Sequence, residues 1–414
     1  MKLDAPNGID LDIVAIRAQF PILNQRVNGH PLVYFDNAAT TQKPKAVIQA
    51  LTDYYSGYNA NIHRGIHALA EKATKAFEET RTTAQHFLGA AHKKEIIFVR
   101  GVTEAINLVA QSYGRSVLNK GDEIILSGLE HHSNIVPWQI VAEEKGIVIK
   151  IIPVTSSGEL DLGVFNKIIS AQTKLISINH ASNSLGTINP IHEIIQKAHS
   201  VGAMVMIDGA QAAAHLDIDV QQLDCDFYCI SGHKMYGPTG VGILYGKKEL
   251  LEKMPPYMGG GEMIQQVTFA KTTYNDLPYK FEAGTPNIAD VIALGAAFEF
   301  IQLHGKENIR THEQGLLAYA TDQLGAIARV RLIGTAKEKV SVVSFLIDGL
   351  HPFDVGQLLD ARGVAVRTGH HCTQPLMDHF GIEGTVRASF AVYNTMEEVD
   401  IFLEGISRII SLQK

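Results

Sequence analysis

Short apolar runs alternate with helix-patterned stretches from Leu69 to Tyr245, and this rhythm constrains the fold more than any other feature of the chain. Leu69, Ala73, Ala76, Phe77, Ala84, Phe87 and Leu88 recur at helical spacing and stop at Gly89. Ile96-Ile97-Phe98-Val99 then reads as a strand, and Gly101-Val102-Thr103-Glu104 opens a helix through Ile106, Leu108 and Val109. The alternation continues with strands at 123–126, 147–152, 174–178 and 204–207, helices at 135–142 and 191–199, and a closing strand at 241–245. Fully apolar strands separated by helices predict an α/β domain with a largely parallel sheet. A helical stretch from Ile288 to about Leu303 leads into a second region. There 342–345 and 364–366 read as strands, with helices at 355–359 and 399–410.

A chain of 414 residues exceeds what one core usually supports, so two domains are expected. The composition, 46% apolar and 19% charged, is that of a globular enzyme. A net charge of −7 with no lysine- or arginine-rich block argues against a nucleic-acid partner. No basic segment followed by an apolar stretch opens the chain, and no apolar run reaches membrane-spanning length. A cytoplasmic protein without a membrane partner is expected. Three cysteines cannot build a disulfide framework. Cys225 and Cys229 read as inert thiols of a buried strand, whereas Cys372 follows His370-His371 and precedes Gln374-Pro375, where a loop is expected.

In open α/β sheets, ligands bind beyond the carboxyl ends of the strands. Thr103, the 129–132 loop, Asn183, Asp208 and the Lys234 loop are expected to converge there. Asp208 ends an apolar run, and Lys234 follows about 25 residues later in Ser231-Gly232-His233-Lys234-Met235-Tyr236-Gly237-Pro238, too rich in Gly and Pro for a helix. Pyridoxal phosphate needs such a pair, an amine to hold its aldehyde and an acid to keep its ring nitrogen protonated. Thr103 stands where a helix start leaves N–H groups free for a phosphate. Gly259-Gly260-Gly261 lacks the lysine and hydroxyl of a P-loop and reads as a mobile loop. His370-His371-Cys372 is no zinc site, because adjacent residues rarely converge on one tetrahedral ion, so no metal is expected.

Several stretches go further: Tyr34-Phe35-Asp36-Asn37-Ala38-Ala39, Asn61-Ile62-His63-Arg64-Gly65-Ile66-His67, Glu130-His131-His132-Ser133-Asn134, Phe281-Glu282-Ala283-Gly284-Thr285-Pro286-Asn287 and Arg367-Thr368-Gly369-His370-His371-Cys372. With 100–107 and 231–240, they resemble the SUF-type class II cysteine desulfurases, also described as selenocysteine lyases, over essentially the full length. The resemblance implies the pyridoxal-phosphate fold type I, aspartate-aminotransferase-like, with a mainly parallel seven-stranded sheet. It implies a large cofactor domain at 22–295 and a smaller α+β domain from 1–21 and 296–414. It implies pyridoxal 5'-phosphate on Lys234, Asp208 at the ring nitrogen, and His131 stacked on the ring. By composition His132 is as good a candidate for the stack, and only the motif separates them. Gln211 is implied at the ring hydroxyl, with Thr103, Ser231 and His233 at the phosphate and Thr285 reaching it from the other subunit of a homodimer. Arg387 is implied for the substrate α-carboxylate and Asn183 for a carboxylate or cofactor contact. Arg367 and His63 are implied as further substrate contacts. Cys372 is implied as the nucleophile that takes sulfur from L-cysteine, leaving L-alanine and an enzyme persulfide. A small sulfur-acceptor protein of the SUF pathway then serves iron–sulfur cluster assembly. Two other expectations stand beside this one: selenocysteine lyase or cysteine sulfinate desulfinase as the main activity, and, from another class, a non-catalytic α/β scaffold.

Overall fold

The structure is a computed structural model that describes residues 11–412. Seven strands form its large sheet: β1 (Ile96–Val99), β2 (Glu123–Ser127), β3 (Val148–Ile152), β4 (Thr173–Asn179), β5 (Met204–Asp208), β6 (Phe227–Ser231) and β7 (Gly242–Gly246). Their order is β1-β7-β6-β5-β4-β2-β3. Every pairing from β6 to β3 is parallel, and only β7 runs antiparallel to its neighbours β1 and β6. The expectation of a mainly parallel seven-stranded sheet holds.

Side chains that alternate along these strands feed two cores. Ile96, Phe98, Ile125, Ile176, Val205 and Ile207 face one side, against α1 (Ala68–Leu88) and α5 (Ile288–His304). Ile97, Val99, Ile124, Leu126 and Met206 face the other, against α2 (Val102–Val109) and α3 (Val136–Lys145). Helix α4 (Ile191–Ser200) connects β4 to β5, and Ile191, Ile194 and Ile195 join the first core. Coverage on both faces is why the inner strands read as continuous apolar runs. Helix α1 stops at Gly89, which takes a left-handed φ of 66° and donates its N–H to the helix's last carbonyls.

Helix α6 (Lys306–Gly325) leads to a four-stranded sheet of β8 (Val330–Ile333), β9 (Val342–Ile347), β10 (Arg367–Gly369) and β11 (Thr385–Ser389), in the order β8-β9-β11-β10. With α6, α7 (Pro352–Asp360) and α9 (Met396–Ser411) it builds a separate, smaller core. The segment expected as strand at 364–366 does not join this sheet. Val364–Ala365 pairs in parallel with Val33–Tyr34 instead. Val33 and Phe35 pack in the small core, while Ile16 and Phe20 pack in the large one. Of the expected small-domain piece 1–21, residues 1–10 lie outside the described residues. The loop expected after Cys372 is helix α8 (Gln374–Phe380). A proline in a first turn has a suitable fixed φ and lacks only an N–H that had no partner there. Among the described residues no single helix is long and apolar enough to cross a membrane.

Candidate active site

The carboxyl ends of the sheet strands open onto a cavity of about 370 Å³. Every residue to which the resemblance gives a site role lines it except Thr285 and His63. Asp208 ends β5, where pairing to β4 and β6 fixes its position. The next residue is glycine for a steric reason, since a Cβ on Gly209 would overlap the Tyr228 ring. Asp208 Oδ1 accepts the Ala210 N–H at 2.9 Å. Burial raises the Asp208 pKa, opposed by that N–H and by Lys234.

Lys234 ends a short turn, Gly232–Lys234, directly after β6. The His233 carbonyl accepts from Thr41 N at 3.0 Å, Thr40 Oγ1 at 3.0 Å and Lys43 Nζ at 3.0 Å, so the segment after the Tyr34–Ala39 motif clamps this turn. Burial lowers the Lys234 pKa, with Asp208 opposing and Arg387 adding to the effect. Lys234 is thereby pushed toward the neutral amine that nucleophilic and proton-abstracting chemistry requires. His233 itself is pushed down to about 4 by burial and by Lys234.

His131 is neutral for the same reasons: burial, then Lys234, hold its pKa at about 3. Its Nδ1 accepts the Ser133 N–H at 3.1 Å. A backbone N–H only donates, so the ring proton sits on Nε2. Beneath it Glu130 is fully buried, bonded to Asn134 Nδ2 at 2.6 Å, to Asn179 N at 3.0 Å and to Ser127. Burial raises its pKa to about 8. At the other end of the cavity, the N-cap residue of α2, Gly101, offers no side-chain cap, and Ser231 Oγ accepts only the Val102 N–H of the first turn, at 3.0 Å. Thr103 belongs to that turn.

Arg387 is fully buried on β11. Its Nη1 donates to the Asn183 carbonyl at 2.8 Å and its Nη2 to Asp36 Oδ1 at 3.1 Å, while its Nε has no partner. Burial lowers its pKa to about 10, against the pull of Asp36. Asp36 also holds Arg367, whose Nε and Nη2 reach its carboxylate at 3.0 and 2.8 Å. Asp36 was not singled out in the sequence, although it stands in a quoted motif. The signal was available: a carboxylate in a chain with two candidate substrate arginines. Asn183 Nδ2 donates to the His371 carbonyl at 2.7 Å, and Gln211 Nε2 to the Ala38 carbonyl at 2.7 Å.

Cys372 is exposed at the cavity rim, and it and His371 both take left-handed φ values, 56° and 51°. Such backbone is costly outside glycine and persists only where neighbours hold it. Cys229 lies in β6, as expected, and Cys225 sits just before it in the turn. Both are buried, and burial raises their pKa values. Thr285 lines a different cavity with Phe98, Arg100 and Tyr257. His63 Nε2 bonds Glu78 at 3.1 Å beneath Tyr279. Within one chain, neither belongs to the Lys234 cavity.

The cavity residues fit pyridoxal phosphate. Among the described residues the Lys234 amine makes no hydrogen bond, the Asp208 carboxylate holds only one N–H, the α2 N-terminus is capped by a side chain only at Val102, and the Arg387 Nε is buried without a partner. An aldehyde, a ring nitrogen, a phosphate and a carboxylate would each complete one of these groups.

Comparison with known proteins agrees with this arrangement. The family described as aminotransferase class-V matches residues 33–402. A probable cysteine desulfurase of Mycobacterium leprae is 52% identical over 398 residues, which span 96% of this chain and only 65% of that longer protein. A probable cysteine desulfurase of Vibrio cholerae is 50% identical over 402 residues, covering 97% of this chain and 99% of its own length. The crystal structure of the Escherichia coli cysteine desulfurase CsdA superposes with a TM-score of 0.91 at 41% identity, covering 97% of this chain and 99% of that one. The fold is accordingly the type I fold of pyridoxal-phosphate aminotransferases, with its large mixed sheet and smaller α+β region. The chain belongs to the class-V aminotransferase family, in its cysteine-desulfurase branch.

Proposed function

We propose that this chain is a SUF-type cysteine desulfurase: L-cysteine and the Cys372 thiol give L-alanine and a Cys372 persulfide. One observation carries the reading. An exposed thiol on a strained loop shares a single cavity with Lys234, the buried Asp208 and the buried Arg387. Pyridoxal phosphate, when bound, supplies the electron sink that makes an amino acid's Cα–H acidic and its Cβ–S bond labile. Lys234 would hold it, Asp208 would keep a ring nitrogen protonated, and His131 would face the ring. Gln211, Ser231, His233, Thr103 and the α2 N-terminus would complete the grip.

The chain's own residues then divide the work. Arg387 takes the substrate carboxylate, because a planar fork with a free Nε matches two oxygens. The Lys234 amine, in the neutral form that burial favours, accepts the Cα proton. Cys372 attacks as thiolate, so an S–S bond forms, the Cβ–S bond breaks, and the electron pair left on the alanine carbon takes up a proton. Arg367 supplies positive charge beside the thiolate. Asp36 bridges the two arginines and offsets their mutual repulsion.

The finer reading follows the resemblance: a homodimer in which Thr285 and His63 serve the partner's site, a small sulfur-acceptor protein, and delivery to iron–sulfur cluster assembly in the cytoplasm. Free thiols suit such a reducing compartment. Selenocysteine would be a second substrate, because selenium leaves without help from Cys372. The deciding experiment is Cys372→Ser. The purified variant should keep the visible absorbance of bound cofactor and form no persulfide from L-cysteine, while selenide release from selenocysteine largely persists. Equal loss on both substrates, or transfer that survives in this variant and vanishes in Cys229→Ser, would sink the assignment. A protein without any visible band that borohydride bleaches would be a scaffold instead.

A further inference from the structure

His132 stands beside the ring-facing His131 and points to a different task. Its backbone N–H donates to the Cys372 carbonyl at 2.8 Å. Its imidazole Nε2 accepts the Gln374 N–H at 3.1 Å. One residue of the turn 132–134 thus holds the chain at two points just after the thiol-bearing Cα, across 242 positions of sequence. Gln374 opens helix α8, so His132 also supplies an acceptor to an N–H that has none within the helix. A second imidazole joins it. His370 Nδ1 accepts the Cys372 N–H at 3.1 Å, and the His132 and His370 rings lie 5.6 Å apart.

We propose that His132 is a positioning residue for sulfur transfer, whose neutral imidazole tethers the Cys372 loop to the rim of the cofactor cavity. The inference rests on Cys372 being the persulfide carrier. The physical argument is the backbone. His371 and Cys372 both occupy left-handed conformations that are costly in a residue with a side chain, so the loop needs external bonds to stay where it is. His132 provides two of them and His370 adds a third bond within the loop, and each imidazole bond exists only while its nitrogen keeps a lone pair. Protonation turns an acceptor into a donor facing a donor, and the tether opens.

The titratable groups facing the His132 ring are His131 on its own turn, and His370 and Cys372 across the gap. Helices α2 and α3 and strand β4, which pack on that turn, add no charge to its titration. Burial, then His370, lower its pKa. A lowered value means the tether is complete above the ordinary histidine range and is lost as pH falls through the lowered one.

The test uses the full-length holoenzyme and two variants. In His132→Ala, amide hydrogen exchange over residues 370–376, corrected for intrinsic rates, should speed up about five-fold, the loss of one net hydrogen bond. Persulfide formed per turnover of L-cysteine should fall by a similar factor. His132→Gln places an amide oxygen near the position of Nε2 without a proton to gain. It should restore both quantities at mildly alkaline pH and keep persulfide formation in acid, where the parent declines. Unchanged exchange in His132→Ala overturns the proposal. So does a His132→Gln protein that is as impaired as His132→Ala, or one that follows the parent through the acid limb. If the parent itself carries no persulfide, the desulfurase reading fails, and the exchange comparison still decides the tether.

Discussion

Asp208 and Lys234 show what a single residue contributes when its surroundings are dry. Burial raises the one and lowers the other, and each partly offsets the shift in its partner. Asp208→Asn keeps the shape and removes the charge. An amide cannot hold a ring nitrogen protonated, and each pKa unit of lost interaction is worth about 1.4 kcal/mol. We expect kcat/KM for L-cysteine to fall by at least about ten-fold, with the fold intact by circular dichroism. Steady-state kinetics equal to the parent's would mean that another group serves the ring. These two residues were legible in the sequence because one ends an apolar run and the other stands in a Gly/Pro-rich segment. Asp36 was not, because its role depends on Arg367 and Arg387, each more than 300 positions away. His132 could not be told from His131 by composition. The structure separates them by what each imidazole accepts, Ser133 N–H in one case and Gln374 N–H in the other.

Helix α1 illustrates the scale of elements. Its apolar spacing announced a helix from Leu69 to Gly89, and the helix found is Ala68–Leu88. Spacing did not announce Arg81, which points inward with its side chain fully buried. Its guanidinium grips Glu282 at 2.7 and 2.9 Å and the Ile96 carbonyl at 2.8 Å, tying α1 to β1 and to the segment that carries Thr285. Arg81→Leu would leave Glu282 buried and unpaired, at a cost of about 3–5 kcal/mol. Denaturant unfolding should report that loss, and a midpoint unchanged from the parent's would contradict it. Glu78 adds a pH dependence to the same cluster. Burial alone would raise its pKa, yet the bonds from His63 and Arg81 hold it at about 2. A depressed carboxylate stabilises in full above its unfolded value near ~4.3, and that contribution is lost as pH falls toward the folded one. Acid unfolding of the parent should therefore steepen in this window, and Glu78→Gln should flatten it. Helix α8 shows the opposite case: a loop is expected beside Gln374-Pro375, yet the proline lies in the first turn of a helix, where its missing N–H costs nothing.

At the scale of the molecule, two cores meet around one cavity, and the chain supplies that cavity from both. Asp208 and Lys234 come from the large sheet, while Arg367, Cys372 and Arg387 come from the small one or its flanks. Thr285 and His63 fall outside it. A homodimer would give both a place, and the exposed apolar residues Ile66, Val267 and Phe269 would gain cover. Light scattering on the purified protein should give twice the 45.2 kDa chain mass. A single-chain mass would leave Thr285 with no phosphate to contact. Most strands and helices were legible in the sequence because apolar periodicity is local, and the lysine, aspartate and cysteine drew notice because they stand in distinctive short segments. Which groups touch is visible only in the folded chain: Asp36 between two arginines, His132 on Cys372 and Gln374, Arg81 bonded to the Ile96 carbonyl. Most of those contacts join segments hundreds of residues apart, and their protonation states follow from burial, which exists only once the chain has packed.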